Sequence, residues 1–189
     1  MGITEGEKLI LSMLCDIHRH LGIKGEVDAG FVQSALAGGH DWALRRAFPA
    51  LLAEFGDADE AVSEVQETLT MWSCIEEGRD RMSDADRSRV AEAALLPGGL
   101  VRFPGFERDG PDGLAGIARV MIDQLGLFGR FRGRYIKQQT GRAEPDRRRM
   151  LALFGPMYQH EAHGALNADQ IIRLLGDCWA GVGRGDRTD

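Results

Sequence analysis

Thr4-Glu5-Gly6-Glu7-Lys8-Leu9-Ile10-Leu11-Ser12-Met13-Leu14-Cys15-Asp16-Ile17-His18-Arg19-His20-Leu21 opens on a capping box and continues with a helical period. The Thr4 hydroxyl is placed to accept from the Glu7 N–H, and the Glu7 carboxylate to reach back to the Thr4 N–H. Leu9, Ile10, Met13, Leu14, Ile17 and Leu21 then fall on one arc of a helical wheel, with His18 and His20 at the border of that arc as hydrogen-bonded core histidines. Gly22 ends the run.

The same pattern repeats outward from this segment. Asp28 caps a short second helix carrying Phe31, Val32, Ala35 and Leu36, which Gly38 and Gly39 stop. A third helix begins near Asp41 and Trp42 and is interrupted or restarts at Pro49, a residue suited to a first helical turn. A long fourth helix spans about 59–81, with Val62, Val65, Leu69, Trp72 and Ile75 at three- and four-residue spacing. Ser83 with Asp86 starts a fifth, closed by Pro97, Gly98 and Gly99. The turn Phe103-Pro104-Gly105-Phe106 holds two rings that are costly to leave in water, so a structural place in the core is expected. A sixth, very long helix is expected over 112–138 as the spine of the molecule. A seventh follows over about 145–159, with Met150, Leu151, Phe154 and Met157 inward. The last is capped by Asn167 with Gln170 and carries Ile171, Ile172, Leu174, Leu175, Cys178 and Trp179. No alternating strand pattern joined by hairpin turns occurs. The expected fold is all-α: one domain over 1–181, a bundle of about eight helices with one long central helix, then a disordered tail over 182–189.

At 189 residues and 43% hydrophobic, the chain suits one domain with a substantial core. Its net charge of −6 disfavours a dedicated nucleic-acid coating protein, which carries a basic footprint over the whole domain. Cys15, Cys74 and Cys178 are far apart and form no CxxC pair, a pattern of reduced, buried thiols. Residues 1–6 have no basic region leading into an apolar core, so a secretory leader is not expected, and Gly6 stands where an acylation motif requires Ser or Thr. No apolar run approaches bilayer length, so a cytoplasmic protein without a membrane partner is expected.

Taken in order, these segments resemble the YfbU family of small helical bacterial and archaeal proteins. The resemblance is carried by Thr4 and Glu7 to Ser12, by Gly39-His40 ahead of a helix, and by Met71-Trp72. It continues through Phe103 to Glu107, similar to the family's Phe-x-Gly-Phe-acidic turn, Phe128 to Phe131, Met150, and Leu166-Asn167-Ala168-Asp169-Gln170-Ile171. It covers about residues 3–176. The chain departs from the family pattern at Met13-Leu14-Cys15 and at Arg108-Asp109, where the family favours Gly-Asn. The resemblance implies a helical fold and assigns no activity, cofactor or site.

The only concentrated positive charge lies over 126–149, where eight Arg or Lys residues accompany two carboxylates; the rest of the chain has 15 basic and 27 acidic residues. On a continuous helix, Arg130, Arg134 and Lys137 gather on one face, extended by Arg142, Arg147, Arg148 and Arg149. That face offers phosphate contacts to RNA or another anionic ligand. Its alternative is a solvated face answering the acidic stretch around Glu54 to Glu67. Gly126, Gly129 and Gly133 line a seam for close packing or dimerisation, or else they break the helix, at about 1 kcal/mol each in a helix interior. Arg132 falls inside the apolar face, where it needs a buried carboxylate partner unless the glycines have turned the chain.

His160-Glu161-Ala162-His163 has metal-binding side chains, but its histidines are three apart where the zincin spacing is four. No catalytic residue, cofactor or metal is assigned. The leading expectation is a non-enzymatic interaction or regulatory protein forming a homo-oligomer, with a possible further protein partner. An RNA or anionic-ligand binder and a metal-assisted hydrolase are the alternatives.

Overall fold

The computed structural model describes residues 3–49, 60–93, 101–108, 110, 113–137, 146–160 and 165–179. Among them are eight α-helices and no strand: α1 Glu5–His20, α2 Ala29–Ala37, α3 Asp41–Ala47, α4 Glu60–Arg81, α5 Asp84–Ala93, α6 Leu114–Arg119, α7 Arg147–His160 and α8 Ala168–Trp179. The chain divides into two compact units, Met1–Val65 with Phe106–Arg132 and Gln66–Gly105 with Gly133–Asp189, and the boundary falls inside α4.

In the first unit, short-range capping starts α1 and α2 where the sequence predicts. The Thr4 N–H donates to Glu7 Oε2 at 2.8 Å and the Glu7 N–H to Thr4 Oγ1 at 3.3 Å, completing the box at α1. The Asp28 carboxylate accepts from the Gly30 and Phe31 N–H groups at 2.8 and 3.2 Å, satisfying two otherwise unpaired donors of α2. Helix α1 packs on α2, and α2 on α3. The core of this unit includes Val32, Ala35, Leu36, Trp42, Leu44, Ile117, Ala118, Met121 and Ile122.

In the second unit, α4 buries Leu69, Met71, Trp72 and Ile75, α7 buries Met150 and Phe154, and α8 buries Ile171, Leu174 and Leu175. Helix α8 packs on α5 and α7. Its cap is reciprocal, the Asn167 N–H donating to Gln170 Oε1 at 2.8 Å and the Gln170 N–H to Asn167 Oδ1 at 3.0 Å. Gly78 of α4 lies hard against the backbone ahead of α8. A Cβ there would stand 2.0 Å from the Leu166 carbonyl oxygen, and the Leu166 N–H donates to the Cys74 carbonyl at 3.2 Å. Both rings of the 103–106 turn are buried as expected, and Phe103 sits 5.9 Å from the Trp72 ring.

The expected spine helix over 112–138 is not continuous. Helix α6 stops at Arg119 and widens into a π-turn over Val120–Gln124, where the Leu125 N–H reaches the Val120 carbonyl at 2.9 Å. The chain then turns at Gly126 (φ +68°), makes one 3-10 turn over Gly129–Phe131, and turns again at Gly133 (φ +76°). A Cβ at Gly126, Gly129 or Gly133 would meet nothing within 4 Å, so no tight packing offsets three glycines in a helix. Glycine adopts the left-handed conformation at Gly126 and Gly133 without steric cost, and the helix breaks. Gly126 and Gly133 therefore form turns and Gly129 opens a 3-10 turn, so the three do not line one face of a continuous helix. Helix α3 ends at Ala47 with Phe48 as its C-cap, so the helix is interrupted ahead of Pro49 as expected; the chain after Pro49, the end of the fifth helix at Pro97 to Gly99 and the tail over 182–189 lie outside the described residues.

Candidate interaction surface

Helix α1 is amphipathic, and its larger apolar face points away from the rest of its unit. The less exposed side carries Lys8, Leu11, Ser12, Cys15 and His18, of which only Leu11 and Cys15 are apolar. Gln33 of α2 donates across to Ser12 Oγ at 3.4 Å and Asp16 Oδ1 at 3.3 Å, so polar bonds supplement a thin apolar contact. The arc that reads as a core stripe lies outside: Leu9 is 64% exposed, Ile10 59%, Met13 59%, Leu14 54%, Ile17 52% and Leu21 65%. Ile23 and Val27 continue it beyond the helix end. One exposed Leu is ordinary, whereas a contiguous stripe of this length makes this face the candidate interaction surface among the described residues.

Beside the stripe runs an apolar groove of about 270 Å³, lined by Ile3, Leu11, Leu14, Cys15, His18, Val27, Ala29, Val32, Leu44 and Phe48. Leu14 and Val27 belong to both, so stripe and groove are continuous. Burial pushes the Cys15 thiol above its ordinary pKa against a weaker opposite pull from Arg19, which keeps it protonated and poorly nucleophilic. His18 lines the groove, whereas His20 is exposed and so is not a core histidine.

The basic segment is divided by its turns. Arg134, expected on an exposed face, donates to both carboxylate oxygens of Glu76, Nη1 to Oε1 at 2.9 Å and Nη2 to Oε2. Glu76 is 3% exposed and also accepts from the Phe103 N–H at 2.8 Å. The buried ion pair assigned to Arg132 thus belongs to Arg134. Arg132 itself is exposed, because the turn at Gly126 rotates the following residues off the wheel of a continuous helix. Arg130 and Arg148 are exposed, Lys137 and Arg147 half-buried, and Arg142 lies outside the described residues. Arg130 sits in the 3-10 turn, while Arg134 and Lys137 follow the turn at Gly133, so these residues do not share a helix.

His40, at the start of α3, stands edge-on to Trp42 with ring centroids 6.1 Å apart and 3.8 Å from where a Gly116 Cβ would lie. Burial, reinforced by Arg119, lowers its pKa below the ordinary histidine value. Glu161, His163 and the His160 side chain lie outside the described residues; among those described, no three His, Cys, Asp or Glu side chains are grouped to hold a metal ion. No described helix is long and apolar enough to cross a membrane.

Sequence reasoning missed three features: the outward orientation of α1, the close approach at Gly78, and Glu76 as the acidic partner. The first had a sequence signal in retrospect. Leu11 and Cys15 stand on the side of α1 opposite the apolar arc, so that side also had apolar residues to turn inward. Comparison with protein-family models, curated proteins and solved structures finds no match to this chain.

Proposed function

We propose that the protein is a non-enzymatic, cytoplasmic interaction or regulatory protein of the YfbU type that works as a homo-oligomer. The observation that carries this reading is the exposed apolar stripe of α1, Leu9 to Leu21, continuous with an apolar groove. At about 25 cal/mol per Å² of apolar surface removed from water, covering such a stripe is a sizeable driving force for association. The glycine seam lends the reading no support, since its residues form turns.

Sedimentation velocity of the untagged protein tests it. The expected result is a species larger than the monomer at micromolar concentration, shifting towards monomer on dilution. A monomer across 1–100 μM would overturn the homo-oligomer, taking the roughly micromolar affinity of transient assemblies as the scale.

A further inference from the structure

Resting on the homo-oligomer reading, we propose that α1 is the dimerisation helix and that two copies pair it antiparallel, about a twofold axis passing near Met13 and Leu14. The apolar stripe sets the location. Ile10, Leu14, Ile17 and Leu21 recur at four, three and four residues, the spacing that keeps a seam facing one partner helix. Five apolar side chains on the helix and Leu21 at its C-cap are more than half exposed, and Ile23 and Val27 extend them. Together they offer an area on the order of the ~800 Å² per partner that stable interfaces bury.

Charge sets the occupant and its direction. The first turn of α1 is acidic, Glu5 and Glu7, and its last turn is basic, His18, Arg19 and His20. A second copy running antiparallel lays its acidic turn against the basic turn of the first, twice over by symmetry, and opposes the two helix dipoles. A parallel pair stacks like charge on like charge at both ends. The same helix is a poor fit to an anionic lipid surface, because Glu5, Glu7 and Asp16 outnumber Lys8 and Arg19 among its formally charged side chains.

The full-length chain tests this directly. Ile17→Lys places a charge in the stripe at a side chain that is 52% exposed, so the fold tolerates it. The expected result is a dimer for the parent protein and at least a 100-fold weaker dissociation constant for the variant, with unchanged far-ultraviolet circular dichroism. If Ile17→Lys loses helicity, Met13→Lys gives the same reading from a second exposed position. Direction is read by disulfide trapping in a background with Cys15, Cys74 and Cys178 replaced by Ala. With an added oxidant such as copper phenanthroline to accept the two electrons, antiparallel pairing lets Met13→Cys form a covalent dimer and leaves Leu21→Cys without one, since two copies of residue 21 lie roughly 20 Å apart at ~1.5 Å per residue. A covalent dimer through Leu21→Cys overturns the direction. A dimer that survives Ile17→Lys and Met13→Lys overturns the α1 interface and leaves the homo-oligomer standing. A parent protein that stays monomeric, including one that sediments instead with phosphatidylglycerol vesicles, overturns both.

Discussion

Glu76 is buried on α4, accepting two bonds from Arg134 and one from the Phe103 N–H, and the two ends of this pair differ in access to water. The Arg134 side chain is 31% exposed and that of Glu76 4%. Removing Arg134 takes two charge-assisted bonds from a carboxylate held out of water, whereas neutralising Glu76 weakens the bonds of a guanidinium that reaches solvent. Arg134→Met is therefore expected to cost about 3 kcal/mol and Glu76→Gln about 2 kcal/mol in urea unfolding; the reverse order would show that the pair is not buried as described. His40 gives the molecule a pH dependence of known sign. Its folded pKa lies below the unfolded value of about 6.5, so as pH falls the unfolded chain takes the proton first. The stability present above about pH 6.5 declines on acidification. His40→Gln should flatten that decline between pH 7.5 and 5.5, measured by urea midpoints at each pH.

At the scale of elements, glycine does opposite work in two places. Gly126 and Gly133 stop a helix that the apolar pattern would otherwise continue, while Gly78 lets the Leu166 backbone touch α4. Alanine inside a helix normally gains about 1 kcal/mol over glycine, but a Cβ at Gly78 would overlap a carbonyl oxygen and the rigid backbone behind it. Gly78→Ala is expected to lose about 3 kcal/mol, as overpacking does. Gly176→Ala in α8, with nothing within 4 Å of the new Cβ, should be neutral or stabilising; thermal unfolding of the two variants checks the contrast. The principle that a glycine marks close backbone approach was legible in the sequence. Which glycine was not, because the contact joins residues far apart in the chain. The capping boxes at Thr4 and Asn167 were legible to the residue, since each needs only neighbours three positions away.

For the molecule as a whole, the nature of the partner decides the response to salt. The proposed association through the α1 stripe would be mainly apolar, so raising NaCl from about 50 to 500 mM should change self-association by no more than a few-fold, screening only the exposed end charges. A complex with RNA through the basic residues would lose affinity by orders of magnitude over the same range. Fluorescence anisotropy of a labelled single-stranded RNA alongside sedimentation separates the two. Arg130→Glu with Arg148→Glu is the informative variant for the RNA arm, because Arg134→Glu would place a second carboxylate against Glu76.

The amino-acid sequence by itself determined that the protein is helical and where seven of its helices lie, because caps, helical period and stop signals act within a turn or two of chain. It also determined that α1 has a broad apolar arc, while its helical wheel pointed to Arg132 as the arginine needing a buried acid unless the glycines turn the chain. Only the tertiary structure decided that the arc faces outward, that Arg134 and not Arg132 finds Glu76, 58 residues away, and that the spine helix ends at Arg119. Those outcomes turn on whether packing offsets the cost of glycine and on which face of α1 its neighbours cover, and both are set by contacts between segments distant in sequence.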